Sequence, residues 1–399
     1  MNRSTLKKLD RVVGPLALKA MSLLASFFEG RHDQHTFLVG KLVGLGDTLL
    51  MLPVLNLIRR TWPDAKIIAV VTPITQPLFI GRTEVDEIIC YDVLGNDKGL
   101  SGLLRLARRI RRLRAGTYVD FEHYFLGTPF LGLFAGAVNR VGLYHLTTSN
   151  RKSLFSIPVY YDDQIHVIET YYKLYCSVCK SFGVIPLSNE TMNEYRLVLP
   201  PAAQNQVYKW FERNSITKPI IGLHPGSGAS GQFRRWPKQH FIELARRLVN
   251  TDRFAVVLTG AGEELPLLHE IQAAVAHQDC YLGIGLDFTG FLALLRSMSV
   301  YVSSDTGPVH IAPLLDTPTV GLFGPNTPAR YGPRLQHSRS IYNQLPCSPC
   351  IQIHRGFVPT NCVHSEWGAC MQHITVDDVW NTVHELLVTC PRENGRITH

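Results

Sequence analysis

The sequence predicts an α/β protein made of two parallel-sheet domains, and three observations support this prediction. Short apolar runs typical of buried strands alternate with longer helical patterns along most of the chain. The alternation breaks at Pro200–Pro201 and then starts again. A length of 399 residues suits two domains of ~150–200 residues each. We therefore expect a basic amphipathic leader over 1–34, an N-terminal domain over 35–200 and a C-terminal domain over 201–399.

The sequence of the first half predicts consecutive βαβ units. A buried strand is predicted over His35–Val43, followed by a glycine turn and a helix over Thr48–Thr61. Lys66–Thr72 is the next predicted strand. The same alternation continues through the segments Glu87–Tyr91, 101–114 and Tyr118–Phe121.

The second half repeats this order after the break. Strands are predicted over Pro219–His224, Phe254–Thr259 and Val300–Ser303. Between the first two lies a predicted helix, Pro237–Asn250, with proline at its first position. The two halves therefore share an architecture, and two domains imply a cleft between them.

The distribution of charge indicates an anionic partner. The net charge is +8, and basic residues crowd the first 31 positions and Leu103–Arg114. The sequence carries none of the usual nucleic-acid recognition modules. We therefore expect an anionic lipid or a phosphorylated glycan, and no nucleic acid. The odd number of cysteines, nine, favours a reducing cytosol over a secreted disulfide framework.

The leader contains an apolar stretch, Val12–Phe28, that is interrupted by Gly14, Pro15 and Lys19. It is shorter than the ~20 residues that a membrane-spanning helix needs. We therefore expect a helix that lies in the membrane interface.

The predicted helix near 101–114 carries six arginines and no acidic residue. Four of them are our candidates for contact with the acceptor or the membrane: Arg105, Arg108, Arg109 and Arg112. A face that is merely solvated is the alternative, and charge runs are often only that.

The segment VGLGDTLLMLP, from Val43 to Pro53, holds the first candidate site. In open parallel sheets, ligands bind beyond the carboxyl ends of the strands. Asp47 is a carboxylate at such a glycine turn, where it could take a proton from an incoming hydroxyl. The alternative is a tight turn with Asp47 as an N-cap.

The second candidate site lies in the segment Ile221–Phe241, where a strand is followed by a Gly/Ser-rich loop. Backbone amides, Ser227 and the guanidinium groups of Arg234 and Arg235 are groups that bind a diphosphate. Trp236 is more typical of packing than of ligand binding.

The third candidate site is SSDTGPVHIAPLLDTPTVGLFGP, from Ser303 to Pro325. A strand ends at Asp305, and Thr306 and Gly307 lie at the start of the next helix. The unpaired amides of a helix N-terminus favour a phosphate. His310 is either part of this site or a core histidine, and Asp305 either a ligand or an N-cap.

Four cysteines follow in the pattern C-x2-C-x11-C-x7-C. This spacing predicts a structural zinc site, with a disulfide pair or a reduced cluster as alternatives. The four are Cys347, Cys350, Cys362 and Cys370.

These motifs, in this order, resemble glycosyltransferase family 9, which contains the ADP-heptose:lipopolysaccharide heptosyltransferases. The resemblance covers roughly residues 36–385 and rests mainly on DTGPVH and the downstream FGP. The remaining landmarks are Gly46-Asp47 with Pro53, Pro225-Gly226 leading to Trp236-Pro237, and Glu263 after LTGAG.

The resemblance implies a GT-B fold, with two Rossmann-like domains facing across a cleft, and no catalytic metal. Asp47 would be the general base of an inverting transfer, and Glu263 would bind the nucleotide ribose. Thr306 and Gly307 would hold the diphosphate, and Asp305 would lie against the donor sugar. One departure concerns the donor, because Arg234 stands where the heptosyltransferases have a lysine.

The function implied is transfer of a heptose or related sugar, from a donor such as ADP-heptose, to lipopolysaccharide core or another lipid-linked glycan. We expect the protein to act in the cytoplasm, peripherally at an anionic membrane surface. A nucleotide-sugar epimerase of the same shape and a non-catalytic sugar-binding paralogue are the alternatives.

Overall fold

The computed structural model describes residues 33–392, apart from residues 124, 261, 335–336, 353–358, 360–361 and 365–367 and the side chains of residues 229 and 230. The predicted leader therefore falls outside the described residues except for its last two positions. The chain divides into two compact units, of which the first ends at Tyr195 and the second begins at Arg196. In the described part, no helix is both long enough and apolar enough to cross a membrane.

The first unit is a six-stranded parallel sheet with the strand order β3-β2-β1-β4-β5-β6. Its strands are β1 Asp33–Gly40, β2 Lys66–Val71, β3 Glu87–Cys90, β4 Ala115–Asp120, β5 Asn139–Tyr144 and β6 Ile157–Tyr160. Its α-helices are α1 Leu45–Thr61, α2 Gly99–Leu113, α3 Pro129–Ala135 and α4 Val167–Ser181, and short 3-10 segments cover Gln76–Leu78, Leu146–Leu154 and Asn189–Glu194.

The second unit is a six-stranded parallel sheet with the order β12-β11-β10-β7-β8-β9. Its strands are β7 Ile220–His224, β8 Ala255–Leu258, β9 Cys280–Leu282, β10 Val300–Ser304, β11 Thr319–Phe323 and β12 Ser338–Tyr342. Its α-helices are α5 Pro201–Asn214, α6 Lys238–Asn250, α7 Leu265–Val275, α8 Phe288–Arg296, α9 Gly307–Leu314, α10 Pro328–Tyr331, α11 Ala369–Gln372 and α12 Val376–Thr389, with 3-10 segments at Ala229–Arg234 and Gly262–Glu264.

The two sheets have the same connectivity, which is that of a Rossmann fold. In each, the first strand of the unit lies between the second and the fourth, so the strand order reverses beside it. The reversal falls between β1 and β4 in the first sheet and between β7 and β10 in the second. Ligands of open α/β sheets bind at such switch points, beyond the carboxyl ends of the strands.

Burial explains why the central strands read as continuous apolar runs. Phe37, Leu38 and Val39 of β1 are all fully buried. Consecutive residues of a strand point to opposite faces, so both faces of this sheet are covered by other elements. The equivalent core of the second unit is built around β7, β8 and β10 and includes Trp236.

The predicted fold class is confirmed, while several element ends differ. β1 stops at Gly40, although the sequence predicted a strand through Val43. The strand ends here for two reasons. The side chain of Lys41 forms a buried ion pair, and Gly44 has a φ of 88°, which ends the extended conformation of the backbone. Pro237 caps α6 from outside the helix and is not its first residue, because the helix begins at Lys238.

Candidate active site

The switch point of the first unit is occupied by a buried lysine between two carboxylates. The side chain of Lys41 is fully buried, and its Nζ donates a hydrogen bond of 3.0 Å to Glu122 Oε2. The same Nζ lies 3.7 Å from Asp47 Oδ2. Lys41 follows β1 and Glu122 follows β4, so the two strands at the switch point supply the pair.

Glycine geometry determines where Asp47 lies. Gly44 is the N-cap of α1, and its carbonyl accepts bonds from the amide (3.0 Å) and the hydroxyl (2.7 Å) of Thr48. A side chain at Gly44 would come within 2.8 Å of Asp47 Oδ2. Asp47 itself lies in the first turn of α1 and is about one-fifth exposed, at 19%. The alternative of an aspartate N-cap is therefore wrong, because Gly44 holds that position.

A second buried ion pair fixes the loop that carries Glu122. Arg151 Nη2 donates to Asp120 Oδ2 at 2.9 Å and to the Glu122 carbonyl at 2.6 Å. Asp120 also accepts from the Glu122 amide at 2.9 Å and from Thr128 Oγ1 at 2.8 Å. Burial raises the pKa of Asp120 to about 6, although Arg151 opposes that rise. The backbone on which Glu122 is mounted is thus held by several hydrogen bonds.

A tyrosine completes this part of the first unit. Tyr171 of α4 is fully buried, and its ring makes an edge contact with Phe121 at 5.2 Å between centroids. Burial, together with the nearby carboxylates of Asp47 and Glu122, raises the pKa of Tyr171. Tyr171 therefore remains a neutral hydroxyl beside Asp47.

At the switch point of the second unit, an arginine meets the strand end that carries Asp305. Arg234 Nη1 donates to the Asp305 carbonyl at 2.9 Å and lies 3.5 Å from its carboxylate Oδ2. The same carboxylate accepts from Asn326 Nδ2 at 3.1 Å. Asp305 precedes Thr306, which is the N-cap of α9, so Asp305 is not the cap.

The loop after β7 brings the other predicted groups together. Arg235 Nε donates to Ser227 Oγ at 2.9 Å. The Gly228 amide donates to Glu264 Oε1 at 2.9 Å, and a side chain at Gly226 would come within 2.0 Å of that same oxygen. The loop therefore packs on Glu264, whereas the predicted ribose ligand Glu263 is exposed.

The start of α9 has no side-chain cap. Thr306 is extended, with φ −144° and ψ 174°, and its hydroxyl donates to the Ser304 carbonyl at 3.2 Å instead of capping the helix. The amides of the first turn, beginning at Gly307, thus keep the partial positive charge of a helix N-terminus. His310, one turn further on, is buried, and burial lowers its pKa to about 4.

Trp236 serves as packing, as the sequence indicated. It is 1% exposed, its Nε1 donates to the Ile374 carbonyl at 2.8 Å, and its ring packs on Phe241. Its backbone amide donates a hydrogen bond of 3.2 Å to Ser304 Oγ, which connects the loop that carries Arg234 and Arg235 to the end of β10. This hydrogen bond fixes Arg234 and Arg235, the two residues that precede Trp236, beside the switch point.

Comparison with known proteins decides the family. The family model described as glycosyltransferase family 9 (heptosyltransferase) matches residues 104–359, well over half of the chain. The chain belongs to glycosyltransferase family 9. The resemblance seen in the sequence motifs is thereby confirmed. The matched range includes the second switch point and Glu122, while Lys41 and Asp47 precede it.

Individual relatives agree with the family assignment. The lipooligosaccharide heptosyltransferase 2 of Haemophilus influenzae is 30% identical over 191 residues, which cover 46% of this chain and 54% of that protein. The alignment thus reaches little more than half of that relative's length.

Two solved structures share the fold. The structure of Escherichia coli ADP-heptose lipopolysaccharide heptosyltransferase II is 20% identical, with a TM-score of 0.66, over 89% of this chain and 98% of that one. A family 9 glycosyl transferase from Veillonella parvula is 20% identical, with a TM-score of 0.74, over 90% and 100% of the two chains. The expected GT-B fold class is confirmed by this likeness.

The arginine helix of this family 9 chain is α2, and its arginines fall into two groups. Arg105 donates to the Asn96 carbonyl and pairs with Asp97, while Arg109 pairs with Glu87. All four of these arginines are exposed, but the ion pairs found among the described residues involve Arg105 and Arg109 and not Arg108 or Arg112. The sequence missed this division because the acidic partners lie outside the helix, on the preceding loop and on β3.

The cysteine segment is only partly described. All nine cysteines are free thiols in this structure. Cys347 Sγ lies 3.5 Å from His364 Nε2. Over the described ranges, no group of three or more His, Cys, Asp or Glu residues is arranged to hold a metal ion. The structural zinc at Cys347, Cys350, Cys362 and Cys370 stays a prediction.

Four residues of the two switch points were missed by sequence reasoning. Lys41 was assigned to a strand. Glu263, the exposed neighbour of Glu264, was predicted as the ligand in place of Glu264. Glu122 and Asn326 stand just beyond β4 and β11, and their position at the carboxyl end of a predicted strand was the signal that could have found them. Glu122 follows the fourth strand of its unit, which lies beside the first strand, and Asn326 follows the fifth, which pairs with the fourth.

Proposed function

We propose that this chain is an inverting sugar transferase that moves a heptose, or a related sugar, from a nucleoside-diphosphate donor to a lipid-linked glycan such as the lipopolysaccharide core. One observation carries the proposal. Arg234, Arg235, Ser227 and the uncapped start of α9 gather anion-binding groups at the second switch point of a family 9 chain.

The donor proposed is ADP-heptose, the sugar nucleotide in the name of the E. coli structure that shares this fold. The start of α9 would receive the diphosphate, because helix N-termini present amides and partial positive charge to phosphates. Arg235 and Ser227 would add hydrogen bonds from the loop after β7. Glu263 is proposed to bind the ribose, Asp305 and His310 the sugar.

The acceptor would be activated in the first unit. Asp47 would take the proton of the acceptor hydroxyl as the hydroxyl oxygen bonds to C1 of the sugar. The bond between C1 and the β-phosphate oxygen would break with its electron pair, releasing ADP and inverting C1. Lys41 supports this role because a nearby positive charge favours the ionised carboxylate that a base requires.

The transfer is proposed to need no catalytic metal. The charge that develops on the leaving diphosphate would be met by Arg234, Arg235 and the α9 amides, and one such preorganised donor typically contributes ~3–4 kcal/mol. Turnover in the presence of EDTA equal to turnover without it would support this point, and loss of turnover that returns with added metal would overturn it.

The lipid-linked acceptor places the protein peripherally at the cytoplasmic face of a membrane in this proposal. The exposed Arg108 and Arg112 support it, since arginines near an anionic surface contribute attraction. Arg105 and Arg109 are also candidates from the sequence, but their acidic partners lower their value for this purpose.

The proposal is tested by a donor screen followed by a turnover assay. Thermal shift with ADP-heptose, ADP-glucose and UDP-glucose should give the largest stabilisation with ADP-heptose. Adding a lipid-linked core acceptor should then release ADP, and mass spectrometry of the glycan from a deletion strain should show the loss of one heptose. An epimerase would convert the donor without acceptor, and a non-catalytic paralogue would bind donor and release no ADP.

A further inference from the structure

The carboxylate of Asp305 fixes the orientation of a neighbouring amide. Asn326 Nδ2 donates to Asp305 Oδ2 at 3.1 Å, and the two residues are 5% and 4% exposed. An ionised carboxylate only accepts hydrogen bonds, so it is the NH2 group of Asn326 that faces it. The amide oxygen, Oδ1, must therefore point away from Asp305.

That amide oxygen is buried, and no described group donates to it. Buried polar atoms in folded proteins are nearly always hydrogen-bonded, so this oxygen needs a donor, which a ligand hydroxyl can supply. The position supports a ligand at this point, because Asn326 lies three residues beyond β11, the strand that pairs with β10. It thus stands at the same sheet edge as Asp305.

A second buried polar atom lies near the same carboxylate. His310 Nδ1 has no hydrogen-bond partner in the part of the chain that the structure describes, and the residue is 6% exposed. Asp305 is close enough to act on the charge of this imidazole. The neutral ring can donate or accept at Nδ1 according to its tautomer, which suits a hydroxyl group.

Two other polar groups of this strand end have partners within the chain. Arg234 Nη1 is bonded to the Asp305 carbonyl, and the Thr306 hydroxyl is bonded to the Ser304 carbonyl. These groups hold the backbone in place. Among the buried side-chain atoms that the structure describes at this strand end, Asn326 Oδ1 and His310 Nδ1 are without a hydrogen-bond partner.

We propose that Asn326 is a specificity-determining residue whose amide oxygen accepts a hydrogen bond from a hydroxyl group of the donor sugar. Asp305 aligns this amide, and His310 lies beside it. The inference rests on the proposed function, since it assumes a sugar nucleotide at this switch point. A site built to bond a hydroxyl discriminates strongly against ligands that lack it.

The test compares the affinities of ADP-heptose and ADP, because their ratio isolates the sugar. In Asn326→Ala, that ratio should fall by about 10-fold or more, while the affinity for ADP stays within about 2-fold of wild type. Ser227→Ala is the matched contrast, since it should weaken both ligands equally. His310→Gln is a second variant, expected to lower the ratio as well.

The outcomes separate this inference from the proposed function. If the wild type does not release ADP from ADP-heptose in the presence of the acceptor, the donor assignment fails. If the wild type discriminates and Asn326→Ala discriminates equally, the reading of a hydroxyl by Asn326 is wrong while the donor assignment stands. Equal loss of both ligands in Asn326→Ala, with a lowered melting temperature, would show a purely structural role and also overturn the inference.

Discussion

Lys41 Nζ lies 3.7 Å from Asp47 Oδ2, where β1 has ended and α1 begins. The lysine is fully buried, and its other partner is Glu122 at 3.0 Å. A buried charge without a partner is strongly unfavourable, so these three groups depend on one another. The arrangement keeps Asp47 next to a fixed positive charge.

Replacing Lys41 should change the pH dependence of catalysis. In Lys41→Met, Asp47 loses the fixed positive charge that lies 3.7 Å from its carboxylate. The acid limb of the kcat/KM profile should move to higher pH, and Lys41→Arg should restore it. Because Lys41→Met leaves Glu122 unpaired, Lys41→Met/Glu122→Gln serves as the folding control. An unshifted acid limb in a folded variant would remove Lys41 from the account.

Arg234 should contribute charge to donor binding. We expect Arg234→Gln to weaken ADP binding by about 10–100-fold, as for other hydrogen bonds to charged groups. Arg234→Lys should recover part of the loss, since it keeps the charge and loses the planar fork. Isothermal titration with ADP measures both. If Arg234→Gln binds ADP as tightly as the wild type does, the guanidinium of Arg234 only stabilises the loop and does not contribute to donor binding.

His310 should make the stability of the fold fall in mild acid. Burial lowers its folded pKa to about 4, whereas an unfolded histidine titrates near ~6.5. The unfolded chain therefore binds the proton first, so the stabilisation is fully present above pH ~6.5 and is lost as the pH falls through the folded pKa. The loss amounts to roughly 3 kcal/mol. Urea unfolding between pH 7.5 and 4.5 should show a smaller fall in His310→Gln than in wild type, and identical pH slopes would contradict this.

The two groups of arginines on α2 should differ in membrane binding. Arg108→Gln/Arg112→Gln should weaken binding to anionic vesicles by about 5-fold per charge, an effect that salt screens. Arg105→Gln/Arg109→Gln removes the same charge from residues paired with Asp97 and Glu87, and should weaken it less. Exposed Leu100 and Leu104 on the same helix add apolar contact. Equal vesicle affinity for all three proteins at low salt would leave α2 as a solvated face.

Local patterns predicted the central strands and the site loops, but they did not predict β5, β6, β9 or β12. β10 was predicted over Val300–Ser303 and is observed over Val300–Ser304, because a short run of β-branched and aromatic residues between polar segments indicates a strand. Asp305 and Thr306 were found from the same rule, since they follow a buried strand. Such features depend only on neighbours in the sequence.

Partners that are distant in the sequence could not be predicted in this way. Glu122 is 81 residues from Lys41, so its hydrogen bond exists only once β1 and β4 are adjacent. Asp305 and Asn326 meet because β10 and β11 pair. Glu87 neutralises Arg109 from another element. Strand order, which no local pattern specifies, decides the first two contacts, and the packing of α2 beside β3 decides the third.

The most direct test of the account is turnover by Asp47→Asn with ADP-heptose and a lipid-linked core acceptor. The substitution keeps the size of the side chain and removes its basicity. We predict that ADP release falls by about 10²–10⁴-fold while the Kd for ADP-heptose stays near that of wild type. Turnover of Asp47→Asn equal to that of wild type would contradict the assignment of Asp47 as the base and, with it, the proposed mechanism.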